Sequence, residues 1–168
     1  MQKRRMAGCV SMYVLAIILV FPLPGLRAEQ QQFFNLGDFR LESGKYIRSC
    51  KLGYRTFGTL NKSKTNAVLF PTWFTGTSAD LKGLIGPDKM IDSSRYFVIA
   101  VDAFGNGISS SPSNSTQEGT FPEFSLGDMV NAQLRLIKDH FGISRLYAVI
   151  GVSMGGMQAF YWVAAYPS

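Results

Sequence analysis

A chain of 168 residues, 46% hydrophobic and 13% aromatic, has the composition of a globular protein and the length of one domain or part of one. Its formal charge of +6 is concentrated at the start: Lys3, Arg4, Arg5 and Arg27 carry four of those charges, and +2 remains from residue 28 onward with no basic stripe interleaved with aromatics. That distribution argues against nucleic-acid binding, and with Cys50 the only cysteine beyond residue 28 a disulfide framework is excluded.

The first element in chain order is a leader. Lys3, Arg4 and Arg5 precede an apolar run over residues 10–21, and Pro22, Pro24, Gly25, Leu26, Arg27 and Ala28 follow it. This predicts a secretory signal peptide over residues 1–28 and export to the periplasm or the medium. The alternative is an uncleaved membrane anchor, for which the run is short against the roughly 20 residues a span needs. Residues 29–35, with Gln30, Gln31 and Gln32, read as a polar tether, and residues 36–168 as the ordered domain. Within residues 41–59, Gly44, Gly53 and Gly58 punctuate the β-prone Tyr46, Ile47, Tyr54, Thr56 and Phe57, which predicts an antiparallel pair. Cys50 reads as a packed strand residue in preference to a nucleophile.

Residues 67–70 and 96–101 are short apolar runs without alternation, the pattern of strands covered on both faces in a parallel sheet, and residues 146–150 are a third. Between the last two, Leu126, Met129, Val130, Leu134, Ile137 and Phe141 recur at helical spacing, with Ser125 as N-cap, Asp128 three residues on, and Gly142 closing the end. A final helix over about residues 155–165 is apolar nearly all round, which predicts burial, and Pro167 stops it. Strands alternating with helices make an α/β chain. The loop 71–79 leaves the C-terminal end of a strand, where open α/β sheets place ligand sites. The loop 102–115 reads either as a mobile Ser-rich loop or as a pocket wall.

The sharpest signal is Gly151-Val152-Ser153-Met154-Gly155-Gly156, set between a strand and a helix. A serine on that turn is a nucleophile elbow, with Ser153 as nucleophile. Gly151, Gly155 and Gly156 are expected because a Cβ there would collide with the neighbouring strand and helix. The N–H of Met154, with N–H groups of the loop 71–79, could form an oxyanion hole. Serine hydrolases of this kind supply Ser, then Asp or Glu, then His, so the acid and base are expected beyond Ser168, and residues 1–168 alone are expected to be weakly active or inactive. His140 is the only histidine, but the helix that carries it returns to the start of the strand leading to Ser153, five residues or roughly 16 Å away; it reads as a last-turn residue favourable to the helix dipole. Asp102 is either pocket-facing or part of an Asx-type turn. No Cys, His and carboxylate cluster has metal-ligand spacing, and neither metal nor cofactor is expected.

Tyr54-Arg55-Thr56-Phe57-Gly58-Thr59-Leu60-Asn61, Asp128-Met129-Val130 with Ala132-Gln133, and above all Ser153-Met154-Gly155-Gly156-Met157-Gln158 resemble the homoserine O-acetyltransferase branch of the α/β-hydrolase superfamily, over about residues 36–167. The resemblance implies the N-terminal half of an α/β-hydrolase fold, incomplete after the elbow helix, with a mostly parallel sheet. It also implies Ser153 as nucleophile and Phe74 and Met154 as backbone oxyanion donors. Members take an acyl group from a CoA thioester onto serine and pass it to an amino-acid hydroxyl, so a small-molecule ester or acyl donor, acyl-CoA among them, is implied, and a homodimer is left open. The chain departs from the branch at Thr72-Trp73-Phe74-Thr75-Gly76, where His-Ala-Leu-Thr-Gly is usual, at Gly127 in place of Arg, and at Val152 in place of Gly. The expectation is an exported serine-based hydrolase or acyltransferase, with an exported non-catalytic binding module as the competing reading.

Overall fold

The computed structural model describes residues 29–116 and 120–167; the leader and Cys9 lie outside them. Five strands, β1 (Gln32–Arg40), β2 (Tyr46–Phe57), β3 (Ala67–Pro71), β4 (Phe97–Val101) and β5 (Ala148–Val149), form one sheet in the order β1-β2-β4-β3-β5. β3 runs parallel to both β4 and β5, while β2 is antiparallel to β1 and β4. The sheet is thus mixed, parallel in its centre and antiparallel at its opening edge.

Every residue of β3 and β4 is buried, as their unbroken apolar runs predict. Successive side chains point to opposite faces, so the two strands feed two clusters. Leu69, Ile99 and Val101 pack with Met129, Val130, Leu136 and Trp162 on one face; Val68, Phe70, Val98 and Ala100 pack with Leu81, Ile85 and Ile91 on the other.

Helix α1 (Leu126–Arg135) starts at the expected cap: Ser125 Oγ accepts from the Asp128 N–H at 3.0 Å and Asp128 Oδ2 accepts from the Ser125 N–H at 2.9 Å. It continues as a π turn (Leu136–His140), after which Gly142 adopts φ +60°. Helix α2 (Met154–Ala165) follows β5.

Three expectations are corrected. The stretch 29–35 is not a tether throughout, because β1 begins at Gln32 and pairs with Tyr54 of β2, and the Gln31 amide donates to Asp102 at 2.9 Å. The antiparallel pair is therefore 32–40 with 46–57, not two strands inside 41–59. A bulge at Gly37 (φ +66°) hides β1 in the sequence by placing Leu36 and Phe39, three apart, in the core together and so breaking the period of two. Finally, α2 is not buried all round: Phe160 is 82% exposed, Val163 69% and Met157 59%, because among the described residues nothing packs on its outer face. β5 forms an edge beside that face, with only Ala148 and Val149 paired.

Cys50 lies in the core, and burial pushes its thiol up to about 12, against smaller opposing effects of Ser110 and Arg135. Between the ordinary thiol value and that one, only the unfolded chain loses the proton, so this group's contribution to stability falls as pH rises through the window. We expect no reaction of Cys50 with a disulfide reagent at pH 8 in the folded protein and prompt reaction in urea; equal rates would contradict its burial.

Candidate active site

Ser153 sits on the turn between β5 and α2 with φ 55° and ψ −126°, a conformation that L-residues adopt at a cost of about 1–3 kcal/mol. The turn is held by the Gly155 N–H donating to Val152 O at 3.0 Å and the Met157 N–H to Ser153 O at 3.1 Å. Below it, the Ile150 N–H donates to Leu69 O at 2.9 Å, which ties the turn to β3. A serine at a helix N-cap ordinarily uses its hydroxyl to cap the helix. Ser153 makes no such bond and is exposed, so its Oγ is free to react.

The elbow glycines differ in how strictly they are needed. A Cβ on Gly151 would lie 2.1 Å from the backbone of Gly155, and one on Gly155 would lie 2.4 Å from Pro71 O at the end of β3. A Cβ on Gly156 would lie 3.3 Å from Gly151 O, a contact that a small shift can accommodate. The helix N-terminus and the end of β3 therefore approach as closely as backbones allow, which puts the loop after β3 beside the serine turn.

That loop holds Phe74, whose side chain is 75% exposed. No partner within the described residues takes the backbone N–H of Phe74 or of Met154. Phe74, Thr75 and Met154 share a pocket of about 390 Å³ with Phe104, Gly105, Asn106, Pro112, Phe124 and Met129. Among the described residues, no Lys, Arg, Asp or Glu lines it. The loop 102–115 is a pocket wall, fixed in place: Ser109 Oγ donates to Asp102 O at 2.7 Å, the Ser110 N–H donates to Lys51 O at 2.9 Å, and Ser109 and Ser111 are fully buried.

Asp102, fully buried at the end of β4, does not form an Asx turn of its own. Its carboxylate accepts from the Ser78 N–H at 2.6 Å, Ser78 Oγ at 2.8 Å, Gln31 Nε2 at 2.9 Å and Asn106 Nδ2 at 3.2 Å. Asn106 Nδ2 also reaches Gly76 O at 3.1 Å. The carboxylate thereby joins the loop after β3 to the loop after β4. Asp102→Ala strands the Ser78 donors and is expected to destabilise the fold by about 3 kcal/mol. Asp102→Asn, which keeps an acceptor for the Ser78 N–H, should lose less than half as much. Urea midpoints check both, and equal losses would contradict the acceptor role.

His140 is kept from the serine by its own packing. Its Nε2 lies 2.8 Å from Tyr54 Oη, and its ring packs against Phe34, Tyr54 and Phe141. Phe34 and Tyr54 belong to β1 and β2, and three strand spacings of about 4.8 Å separate β2 from β5. Among the described residues no group of His, Cys, Asp and Glu could hold a metal ion. Three residues near the site were given no role in the sequence: Gln133, Gln158 and Trp162, linked by buried hydrogen bonds. The signal was a polar side chain on the apolar stripe of α1 and one in the otherwise apolar α2.

A family model described as alpha/beta hydrolase fold matches residues 67–168. The chain is 40% identical over 140 residues to an ethyl acetate hydrolase of Pseudomonas veronii, covering 81% of this chain and 40% of that one. It is 42% identical over 151 residues to a homoserine O-acetyltransferase of Methanococcoides burtonii, covering 78% and 31%. Among solved structures, an acetylester hydrolase from Corynebacterium glutamicum superposes with a TM-score of 0.79 at 41% identity, covering 82% of this chain and 41% of that one. The chain thus spans less than half the length of the relatives it matches.

Proposed function

Because the chain belongs to the α/β hydrolase fold family, we propose that it forms the nucleophile-bearing part of an enzyme that moves acyl groups through a Ser153 acyl-enzyme, with water as the final acceptor. The observation that carries this is the strained backbone of Ser153 with its hydroxyl left out of capping. Ser153 Oγ attacks the ester carbonyl and gives its proton to a base; the carbonyl oxygen becomes an oxyanion held by the N–H groups of Phe74 and Met154. The bond to the alcohol breaks as the alcohol takes the proton; water then gives a proton to the same base and attacks the acyl-enzyme, the bond to Ser153 Oγ breaks, and the serine takes the proton back as the acid leaves. The base and its acid come from chain beyond residue 168, in the order the family uses. Residues 1–168 alone are expected to turn over esters weakly or not at all.

Two observations favour hydrolysis of small uncharged esters over transfer to an amino-acid hydroxyl. Among the described residues, the pocket beside Met154 offers no charged side chain to a carboxylate, an ammonium or a phosphate. At residue 127, where the acetyltransferase branch usually has Arg, a side chain would have to displace Glu42 and Tyr161, which hydrogen-bond to each other at 3.1 Å. The names of the P. veronii and C. glutamicum relatives support the same substrate class. Export through the leader agrees with water as acceptor, since acyl-CoA is a cytoplasmic donor.

The test uses the protein purified as its native cell makes it, supplied with p-nitrophenyl acetate in the presence and absence of homoserine. Free acetate matching p-nitrophenol in both cases is the expected result. O-acetylhomoserine as the main product would establish the transferase instead, and no turnover at all would support the binding-module reading.

A further inference from the structure

The two oxyanion donors of the proposed reaction stand on different segments, one on the loop after β3 and one on the first turn of α2. The width of the hole is the separation of those segments, so whatever fixes that separation sets how well the developing charge is held. Backbone contact does part of this, through Gly155 against Pro71 O. The rest is done by a buried chain of side-chain amides.

Gln158, fully buried one turn into α2, donates from Nε2 to Thr72 O at 3.3 Å and to Met154 O at 3.4 Å. One amide group therefore touches the carbonyl of a donor residue itself, Met154, and the carbonyl two residues before the other donor, Phe74. Thr72 is held as well from its other side: its N–H donates to Val101 O at 3.0 Å and its Oγ1 accepts the Ala103 N–H at 3.0 Å. Gln158 Oε1 accepts from Gln133 Nε2 of α1 at 2.5 Å, and Gln133 Oε1 accepts from Trp162 Nε1 at 2.8 Å. An indole N–H can only donate and a backbone carbonyl can only accept, so the two ends leave one orientation for both amides. A flipped Gln158 would set its oxygen against two carbonyl oxygens. The chain thus has a direction as well as a length, and all three side chains are buried.

We propose that Gln158, oriented through Gln133 by Trp162, is a positioning residue that sets the width of the oxyanion hole. This rests on the Ser153 acyl-transfer reading. It requires that Gln158 act on the transition state, where charge sits on the oxygen, and leave ground-state ester binding nearly unchanged. A hole opened by a fraction of an ångström still binds the neutral ester but holds the oxyanion poorly.

The experiment measures kcat and KM for p-nitrophenyl acetate in the native-length protein, per active site titrated with a fluorophosphonate, for the parent, Gln158→Met and Trp162→Phe. In parallel it measures inhibition by a trifluoromethyl ketone, which forms a charged tetrahedral adduct with serine. Gln158→Met is expected to lower kcat about 10- to 100-fold with KM within about twofold, and to weaken the ketone in proportion to the loss in kcat/KM. Trp162→Phe, which frees the amides to turn but fills nearly the same space, should show the same pattern at about 3- to 10-fold and stands in if Gln158→Met does not fold. An unchanged kcat per titrated site with unchanged ketone affinity in the variant that folds overturns the relay while leaving the acyl-enzyme reading intact. So does a loss confined to the number of titratable sites, which is the mark of a merely structural role. If the parent neither labels nor turns over, the underlying reading fails and the relay falls with it.

Discussion

Ser153→Ala is expected to lower ester turnover by about 10⁵-fold or more in the native-length protein, because the step it removes is formation of the bond itself. The backbone there makes a second, independent expectation possible. At φ 55° and ψ −126° an alanine bears the same strain as the serine, whereas glycine adopts that region freely. Ser153→Gly should therefore be as inactive as Ser153→Ala but more stable than it, by about 1 kcal/mol. Denaturant midpoints of the two variants read the difference. A residue kept in strain for chemistry gives up activity and gains stability together; equal stabilities would remove the argument from strain, and a turnover loss of only a few-fold would remove Ser153 from the reaction.

Gly155→Ala is expected to have one of the largest effects on stability among single methyl additions to the described residues around the elbow. The added carbon would meet Pro71 O at 2.4 Å, a backbone atom at the end of β3 that has no rotamer to change. Either α2 lifts from β3 or the serine turn distorts, and the loss should be at least about 3 kcal/mol, with acyl transfer lost as well. Gly156→Ala is the control. Its Cβ would lie 3.3 Å from Gly151 O, so a loss of less than about 1 kcal/mol is expected. Similar losses in both would mean that close approach of helix and strand is not what selects glycine at residue 155.

Much of this arrangement was legible in the sequence, for identifiable reasons. The runs at β3 and β4 are apolar without alternation because both faces are covered, and that pattern survives in one dimension. The Ser125 and Asp128 capping box and the elbow string are local, each needing only neighbours within a turn. What escaped was non-local or locally irregular. The bulge at Gly37 erased the alternation of β1, and Gln31 drew significance from partners far away in sequence, Ser78 and Asp102 among them. The apolar surface of α2 predicted burial, yet Phe160 and Val163 stand exposed, because hydrophobicity states a preference and not the presence of a partner. Asp102 gave two readings from its neighbours alone; its actual role, joining two loops, depends on Ser78, 24 residues away in sequence. Gln133 and Gln158 stood in the sequence only as parts of the strings that carry the resemblance, and their joint role appears where their amides meet.

The central claim is that Ser153 is a nucleophile on an elbow. The most direct measurement treats the protein, purified from the cell that makes it, with a fluorophosphonate, digests it and locates the adduct by mass spectrometry. One modified residue, Ser153, is expected, with loss of ester turnover in step with labelling. A protein that turns over esters while Ser153 stays unmodified, or that labels at another serine with the same loss of activity, would contradict it.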